Sequence, residues 1–284
     1  MIFAQCLPGE AWHLHGSSTL PSGTAATGRL RRFASPVTIR STLRGDTLDI
    51  RRVAQTNIGL YRQMHDLGYS LDALNLARKT YGLACSLFTS RFRATEKPFL
   101  CHLVGTASIV AQLVASPDLV ALALLHAAYE SGNFGFGATG PTRRNRERVR
   151  NVVGDAIEER IFLYWKTPWN RSEIVGWLAR AEHLSEEDTE LLTVRLANAL
   201  EDHLDLAMCY CAESRRQSEG SLEELSRIAR SLRLDGLGQA FEALSNDMRE
   251  AGWTRALATG RRSSYRLDPK DTFNVAGAVS WLRR

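Results

Sequence analysis

The chain lacks an uninterrupted apolar run long enough to cross a bilayer, which takes about 18 residues. Its longest such run, LVALALLHAAY, is interrupted by His126, which favours a buried helix. Apolar and polar residues nowhere alternate over a sustained stretch, and this argues against a sheet protein. We therefore expect a soluble all-α protein with no membrane partner.

Cysteine pairs with a functional spacing are also missing. The five cysteines form no CxxC pair and no zinc-finger spacing. Cys209 and Cys211 would project from different sides of one helix. Buried free thiols are the simplest interpretation, and they predict a reducing, cytoplasmic location.

Acidic residues are scarce in the first 45 positions, where Glu10 stands alone against five arginines. The stretch GSSTLPSGTAATG has too little apolar area to offset the entropy of ordering. Residues 1–48 are predicted to be a flexible leader, with residues 1–45 lacking regular structure; an organellar transit peptide is an alternative. The net charge of +5 is modest and partly local, so it indicates no clear nucleic-acid partner.

Apolar residues recur at helical spacing from Asp49 onward. Pro98 is predicted to open one helix, and Ser116 or Asp118 to cap the next. Further helices are expected at roughly 143–166, 172–183, 186–212, 221–233 and 236–251. The predicted organisation is a helical domain at 49–212, a C-terminal helical extension at 213–255, and a basic tail at 256–284 that is surface-docked or disordered.

The segment GFGATG at 135–140 matches the GxGxxG fingerprint of dinucleotide-binding folds. That motif requires a preceding strand and a following helix that points its N-terminus at pyrophosphate. The preceding residues, LALLHAAYE, have helical character. We therefore reject the dinucleotide interpretation and predict a mobile loop before a helix that begins near Thr142.

Three segments carry a family resemblance: FRATEKPFLCH, which ends at His102; LALLHAAYES, which contains His126; and RLAN, which ends at Asn198. Their order and spacing resemble the HD-domain superfamily, and within it the hydrolase domain of (p)ppGpp synthetase/hydrolases. The resemblance covers residues 70–212 and implies an HD-type helical bundle. The chain is also similar to uncharacterised bacterial proteins with a degenerate HD region, through TNIGLYRQ and LLHAAY.

In the HD superfamily, two histidines and two aspartates hold a divalent ion that activates water. The resemblance assigns the metal to His102 and His126, and catalysis to Glu130. Ala127 and Asn198 stand where the aspartates would be. Because both anionic ligands are missing, we expect no cofactor, with Mn²⁺ or Fe²⁺ only if the site is functional.

A rearranged metal site is the alternative that two acids raise: Glu130 lies four residues after His126, and Asp202 four after Asn198, each on the same helical face. One helical turn displaces a carboxylate by about 6 Å, so we expect both acids to be too far away to replace a lost ligand. A further alternative is that both histidines are buried core residues, hydrogen-bonded to Asn198 or Glu130.

Phosphate recognition is indicated by two groups of arginines. Arg143, Arg144 and Arg146 follow the glycine loop, and Arg93 matches the nucleotide-contacting arginine of the related hydrolases. Guanidinium groups bind phosphate bidentately, although a solvated helix face is the favoured explanation for the first group. Trp165, Pro168 and Trp169 could form an aromatic wall nearby, but core packing explains them equally well.

The predicted pocket brings the residues from these segments onto one concavity, with arginines at its mouth. Its members are His102, His126, Glu130 and Asn198, with Arg93 and one or more of Arg143, Arg144 and Arg146.

Three functions are compatible with this pattern. The first is a catalytically degenerate HD protein that binds a phosphorylated small molecule, a nucleotide or a partner protein in a regulatory role. The second is a divergent metal-dependent phosphohydrolase. The third is a structural interaction module, which includes a homodimer through exposed helices.

Overall fold

Two almost wholly buried helices lie at the centre of the molecule, and the others pack around them. The computed structural model describes residues 48–135, 138–204, 221–250 and 264–267. These residues all belong to one compact unit, Val37–Arg284. The predicted leader lies outside the described residues except for Leu48, and so does most of the predicted basic tail.

The described residues form α-helices and two short strands. They are α1 (Asn57–Asp66), α2 (Leu71–Phe88), β1 (Arg91–Phe92), α3 (Phe99–Leu113), α4 (Pro117–Leu125), α5 (Ala128–Ser131), α6 (Arg143–Val153), α7 (Asp155–Lys166), α8 (Arg171–Ala179), α9 (Glu186–His203), α10 (Ser221–Ser231), α11 (Asp235–Glu250) and β2 (Tyr265–Arg266). Short 3-10 turns cover Ile50–Arg52 and Ala181–His183.

Hydroxyl side chains determine where several helices begin. Thr56, Ser70 and Ser116 each accept a hydrogen bond from a backbone N–H in the first turn of α1, α2 and α4. Ser185 and Asp188 form a reciprocal capping box at the start of α9. Of the two candidates for the cap of α4, the structure therefore selects Ser116.

The core is built on α3 and α4, whose residues are buried along nearly their whole length. α3 packs against α4 and α9, while α4 also packs against α2 and α7. α10 and α11 form a hairpin that contacts α8 and α9. The described residues are predominantly helical, which confirms the all-α prediction, while the HD-type assignment stays a prediction.

None of the helices in the described ranges combines the length and the apolar character that spanning a bilayer requires.

A small antiparallel ladder brings the C-terminal region back to the start of α3. β1 pairs with β2 so that Arg91 faces Arg266 and Phe92 faces Tyr265. The two aromatic rings stack with centroids 5.4 Å apart. Residues 264–267 of the predicted tail are therefore surface-docked, the first of the two alternatives that the sequence left open.

Glycine explains one difference between the expected and the observed helices. A single helix was expected at 143–166, but Gly154 separates α6 from α7 with φ +85° and ψ 169°. This backbone region is essentially restricted to glycine. The GFGATG segment, in turn, follows helix α5 rather than a strand, as our rejection of the dinucleotide motif required.

We predict that Gly154→Ala destabilises the protein by about 1–3 kcal/mol, because a Cβ is strained in this conformation. Gly82→Ala is the matched control, since Gly82 lies on α2 where an added Cβ would meet nothing within 4 Å. That change should be neutral or stabilising by up to about 1 kcal/mol. Urea unfolding of both variants checks the prediction, and equal effects would contradict it.

Candidate functional site

His102 and His126 meet in the interior of the bundle. His102 lies on α3 with a fully buried side chain, and His126 directly follows the last residue of α4 with an exposure of 3%. Their Nε2 atoms are 3.3 Å apart. The Nδ1 of His126 donates a hydrogen bond to the carbonyl of Ala123 at 2.7 Å, which fixes its ring orientation.

Two carboxylates from the end of α9 reach His102. Glu201 Oε2 lies 2.5 Å from His102 Nδ1, and Asp202 Oδ1 lies 3.4 Å from the same atom. The expectation that Asp202 lies too far away was therefore wrong as regards His102. Gly105 on α3 makes room for the other carboxylate: a Cβ there would come within 2.6 Å of Glu201 Oε1, so the Glu201 side chain can lie beside His102 only because residue 105 has no side chain.

Each of these carboxylates is also paired with a side-chain cation. Arg93 NH2 lies 2.6 Å from both carboxylate oxygens of Asp202, and Lys97 forms a salt bridge with Glu201. All four side chains are mostly or fully buried. Burying two anions with two cations leaves a cluster that is balanced when His102 is neutral.

The hydrogen-bond partners assign the protons of His102. Arg93 NH1, which can only donate, lies 3.0 Å from Nε2. Nε2 therefore accepts, and Nδ1 carries the proton that it donates to Glu201. Burial, followed by the charge of Arg93, lowers the pKa of His102 to about 3, and burial also lowers the pKa of His126. Both imidazoles are thus neutral near pH 7.

The arrangement does not fit a divalent metal ion. His102, Glu201 and Asp202 have ligand atoms within 4.8 Å of one another. However, the guanidinium of Arg93 lies against both His102 Nε2 and Asp202, and Lys97 contacts Glu201. These side-chain cations occupy the positions that a metal ion would take, and they supply the positive charge that it would provide.

Beside the histidines lies a cavity of about 960 Å³. One wall is aromatic and includes Tyr164, Trp165 and Trp169, together with Pro168. Among the described residues, the charged lining consists of three arginines, Arg91, Arg93 and Arg195, and one acid, Glu130. Because His126 is neutral, the cavity has an excess of positive charge.

Arg195 is the cation of this lining that is built most firmly into the aromatic wall. Its guanidinium lies 3.7 Å from the centroid of the Tyr164 ring and 5.6 Å from that of Trp169. It donates to the carbonyls of Tyr164 and Thr167. Among the described residues, no carboxylate forms an ion pair with it, and its Nε is buried without a hydrogen-bond partner.

The structure brings only part of the predicted pocket together. His126, Glu130, Asn198 and Arg93 line the cavity, while His102 lies behind them in contact with His126. The amide oxygen of Asn198 is buried without a hydrogen bond of normal geometry in the described part of the chain, although the amide lies near enough to His102 to favour its charged form.

The arginines of α6 that were predicted at the mouth of the pocket lie elsewhere in the structure, which corrects that prediction. Arg146 is bidentate to the buried Glu158, with distances of 2.7 and 2.8 Å, and also contacts Glu159. Its role here is to neutralise a buried acid. Arg143 and Arg144 are exposed on α6 and do not line the cavity.

Sequence reasoning missed several members of the site. Arg195 begins the RLAN segment, three residues before Asn198, but an arginine on a helix gives no signal of its own because most such residues are solvated. Glu201 directly precedes Asp202 and follows Asn198 by three residues, which is a helical contact spacing. Arg91 and Lys97 gave no signal of their own, because their positions depend on how residues 91–98 fold before α3.

The chain is similar to one family of unassigned activity. The model of "Domain of unknown function (DUF6817)" matches residues 85–168. This span contains Arg93, His102, His126 and most of the aromatic wall, and it ends before Arg195 and the acids of α9. No curated protein matches the chain.

We predict that His102 stays neutral in the folded protein as the pH falls from 7 towards 4. A free histidine has a pKa of about 6.5, so below that pH the unfolded chain takes up a proton that the native state excludes. This contribution to the free energy of unfolding is complete above about pH 6.5 and is lost as the pH falls towards 3. Nitrogen chemical shifts should show a neutral ring protonated at Nδ1; titration of His102 near pH 6.5 would contradict the assignment.

We further predict that the protein binds Mn²⁺ or Fe²⁺ weakly or not at all, because Arg93 and Lys97 already balance the carboxylates. Elemental analysis after growth in metal-supplemented medium measures this directly. Ala127→Asp combined with Asn198→Asp should create measurable metal affinity, since it adds two anions beside His126. A stoichiometric ion in the wild-type protein that is lost in His126→Ala would overturn the prediction.

Proposed function

We propose that the protein is a catalytically degenerate HD-type protein that binds a phosphorylated small molecule, such as a nucleotide, in the arginine-lined cavity. The observation that carries the proposal is Arg195, a cation in the cavity wall with no carboxylate partner among the described residues. An uncompensated cation in a concave site favours an anionic ligand.

The shape and lining of the cavity support a small organic ligand. Its volume of about 960 Å³ lies within the range of roughly 300–1,000 Å³ that is usual for small-molecule sites. The rings of Trp165 and Trp169 offer faces on which a planar base can stack, whereas Tyr164 is buried and its ring is covered by the Arg195 guanidinium. Arg195 also lies 5.6 Å from the centroid of the Trp169 ring, so a phosphate bound there would sit beside the stacking surface.

The functional groups differ in how available they are to a ligand. Arg93 is committed to Asp202 and His102, so we expect it to contribute positive potential more than direct contacts. Glu130 lines the same cavity as an acid, and it would select for ligands that present a hydrogen-bond donor on that side.

Hydrolysis is the less favoured function, because Arg93 and Lys97 already contact the atoms around His102 that would bind a catalytic metal ion. Binding to a partner protein through the bundle surface is the remaining alternative. It predicts a cavity that takes no phosphorylated ligand, which separates it from our proposal.

We predict that a phosphorylated ligand raises the melting temperature, whereas unphosphorylated guanosine does not. The screen should contain GTP, GDP, ATP and (p)ppGpp. A ligand at a hundred times its Kd stabilises the fold by about 2.7 kcal/mol, which corresponds to roughly 5–10 °C for a chain of this size.

Matched variants locate the binding. Arg195→Lys retains the charge but loses the planar fork, and Arg195→Gln loses both. Each should bind the ligand about tenfold or more weakly than the wild type does, with the melting shift of each variant measured against its own unliganded form. Arg144→Gln removes the same charge from an exposed position on α6 and should leave binding unchanged. If no phosphorylated compound shifts the melting temperature, only the interaction module remains.

A further inference from the structure

The β1–β2 ladder places two arginines directly opposite each other. Arg91 of β1 pairs in register with Arg266 of β2, and the next pair is Phe92 with Tyr265. Side chains of directly paired residues project from the same face of a ladder, and successive pairs alternate between the faces. The aromatic pair stacks on one face, so the two arginines share the other.

Neither arginine has a carboxylate to offset this proximity in the ranges that the structure describes. The Nε of Arg91 is buried and has no hydrogen-bond partner. Burial and the charge of Arg266 both lower the pKa of Arg91. Like charges directly opposite each other destabilise a strand pair. The pairing of β1 with β2 nevertheless holds residues 264–267 against the start of the helical domain.

The arginine pair reaches the cavity already described through Arg91, while Arg266 is exposed. Arg91 lines that cavity, and so does Ser264, which precedes β2. Arg195 belongs to a different part of the lining, because it projects from α9. The cavity thus has cationic groups on two separate elements, β1 and α9, and β1 is paired with the docked C-terminal segment.

We propose that Arg91 and Arg266 form a second anion site at the rim of the cavity, which takes a phosphate or pyrophosphate group and thereby strengthens the docking of residues 264–267. The proposal rests on the proposed function only in sharing its cavity. Each guanidinium group can offer two parallel N–H donors, and two such groups can together bind the several oxygens of a phosphoryl group.

Binding and docking are then coupled in both directions. An anion between the two arginines converts their repulsion into two attractive contacts, and these exist only while β2 is paired with β1. The pairing is reported by the Leu267 amide, which donates a hydrogen bond to the carbonyl of Ser90 at 2.9 Å. Any change that increases the fraction of molecules in which residues 264–267 are docked also increases the affinity for the anion.

Hydrogen exchange of the full-length protein tests the proposal, with inorganic pyrophosphate as the probe. Millimolar pyrophosphate should slow exchange of the peptide that covers residues 264–267 by about fivefold or more. Arg91→Gln and Arg266→Gln should each abolish this slowing and weaken pyrophosphate binding by about tenfold. Arg144→Gln is the matched control and should respond as the wild type does.

The sign of the effect without anion separates a binding site from a purely structural contact. In the absence of pyrophosphate, Arg266→Gln should slow exchange at 264–267, because it removes a like charge from the ladder. A residue that merely held the segment in place would give faster exchange on substitution. Unchanged exchange with pyrophosphate in the wild type, or faster exchange in unliganded Arg266→Gln, would overturn the proposal.

Failure of this proposal is distinguishable from failure of the proposed function. If nucleotides bind with a dependence on Arg195 but not on Arg91 or Arg266, the rim site is wrong and the proposed function stands. If pyrophosphate protects residues 264–267 while no nucleotide responds to the Arg195 variants, the rim site stands and the proposed function is wrong.

Discussion

The buried ion-pair cluster around His102 is the constraint on which the rest of the site depends. Glu201 and Asp202 lie in an interior where an unpaired carboxylate would be strongly unfavourable, so Lys97 and Arg93 must remain beside them. This requirement positions the segment before α3 against the end of α9. One side of the cavity is therefore determined by charge balance, and the other by aromatic packing around Arg195.

The helical architecture could be predicted because it follows from local rules. Apolar spacing indicated α2, α3 and α4, Ser116 was one of the two expected caps of α4, and Pro98 immediately precedes the first residue of α3. The break at Gly154 could not be read with the same certainty, because a glycine within a helical pattern is compatible with either a continuous helix or a turn. Only the backbone conformation of that residue distinguishes the two.

The site was less predictable, since it depends on distances between helices. The segments around His102 and His126 led us to expect both imidazoles in one pocket, yet nothing in their spacing revealed that Gly105 leaves room for the Glu201 side chain beside His102. The arginines after the glycine loop were the more conspicuous cluster, but the buried Glu158 binds Arg146. The functional role of a single arginine such as Arg195 depends on its position in the cavity, and the sequence alone does not show which residues line one cavity.

Arg93 and Lys97 come from a single short segment, closed by a backbone hydrogen bond of 2.9 Å from the amide of Arg93 to the carbonyl of Lys97. Moving this segment outward would deprive both α9 carboxylates of their counter-charges in one step, so the wall it forms should be stiff. The opposite wall carries no comparable electrostatic cost, and Trp165 there is 42% exposed. A guest molecule would therefore be accommodated by adjustment of the aromatic side, while the charged side acts as a rigid template.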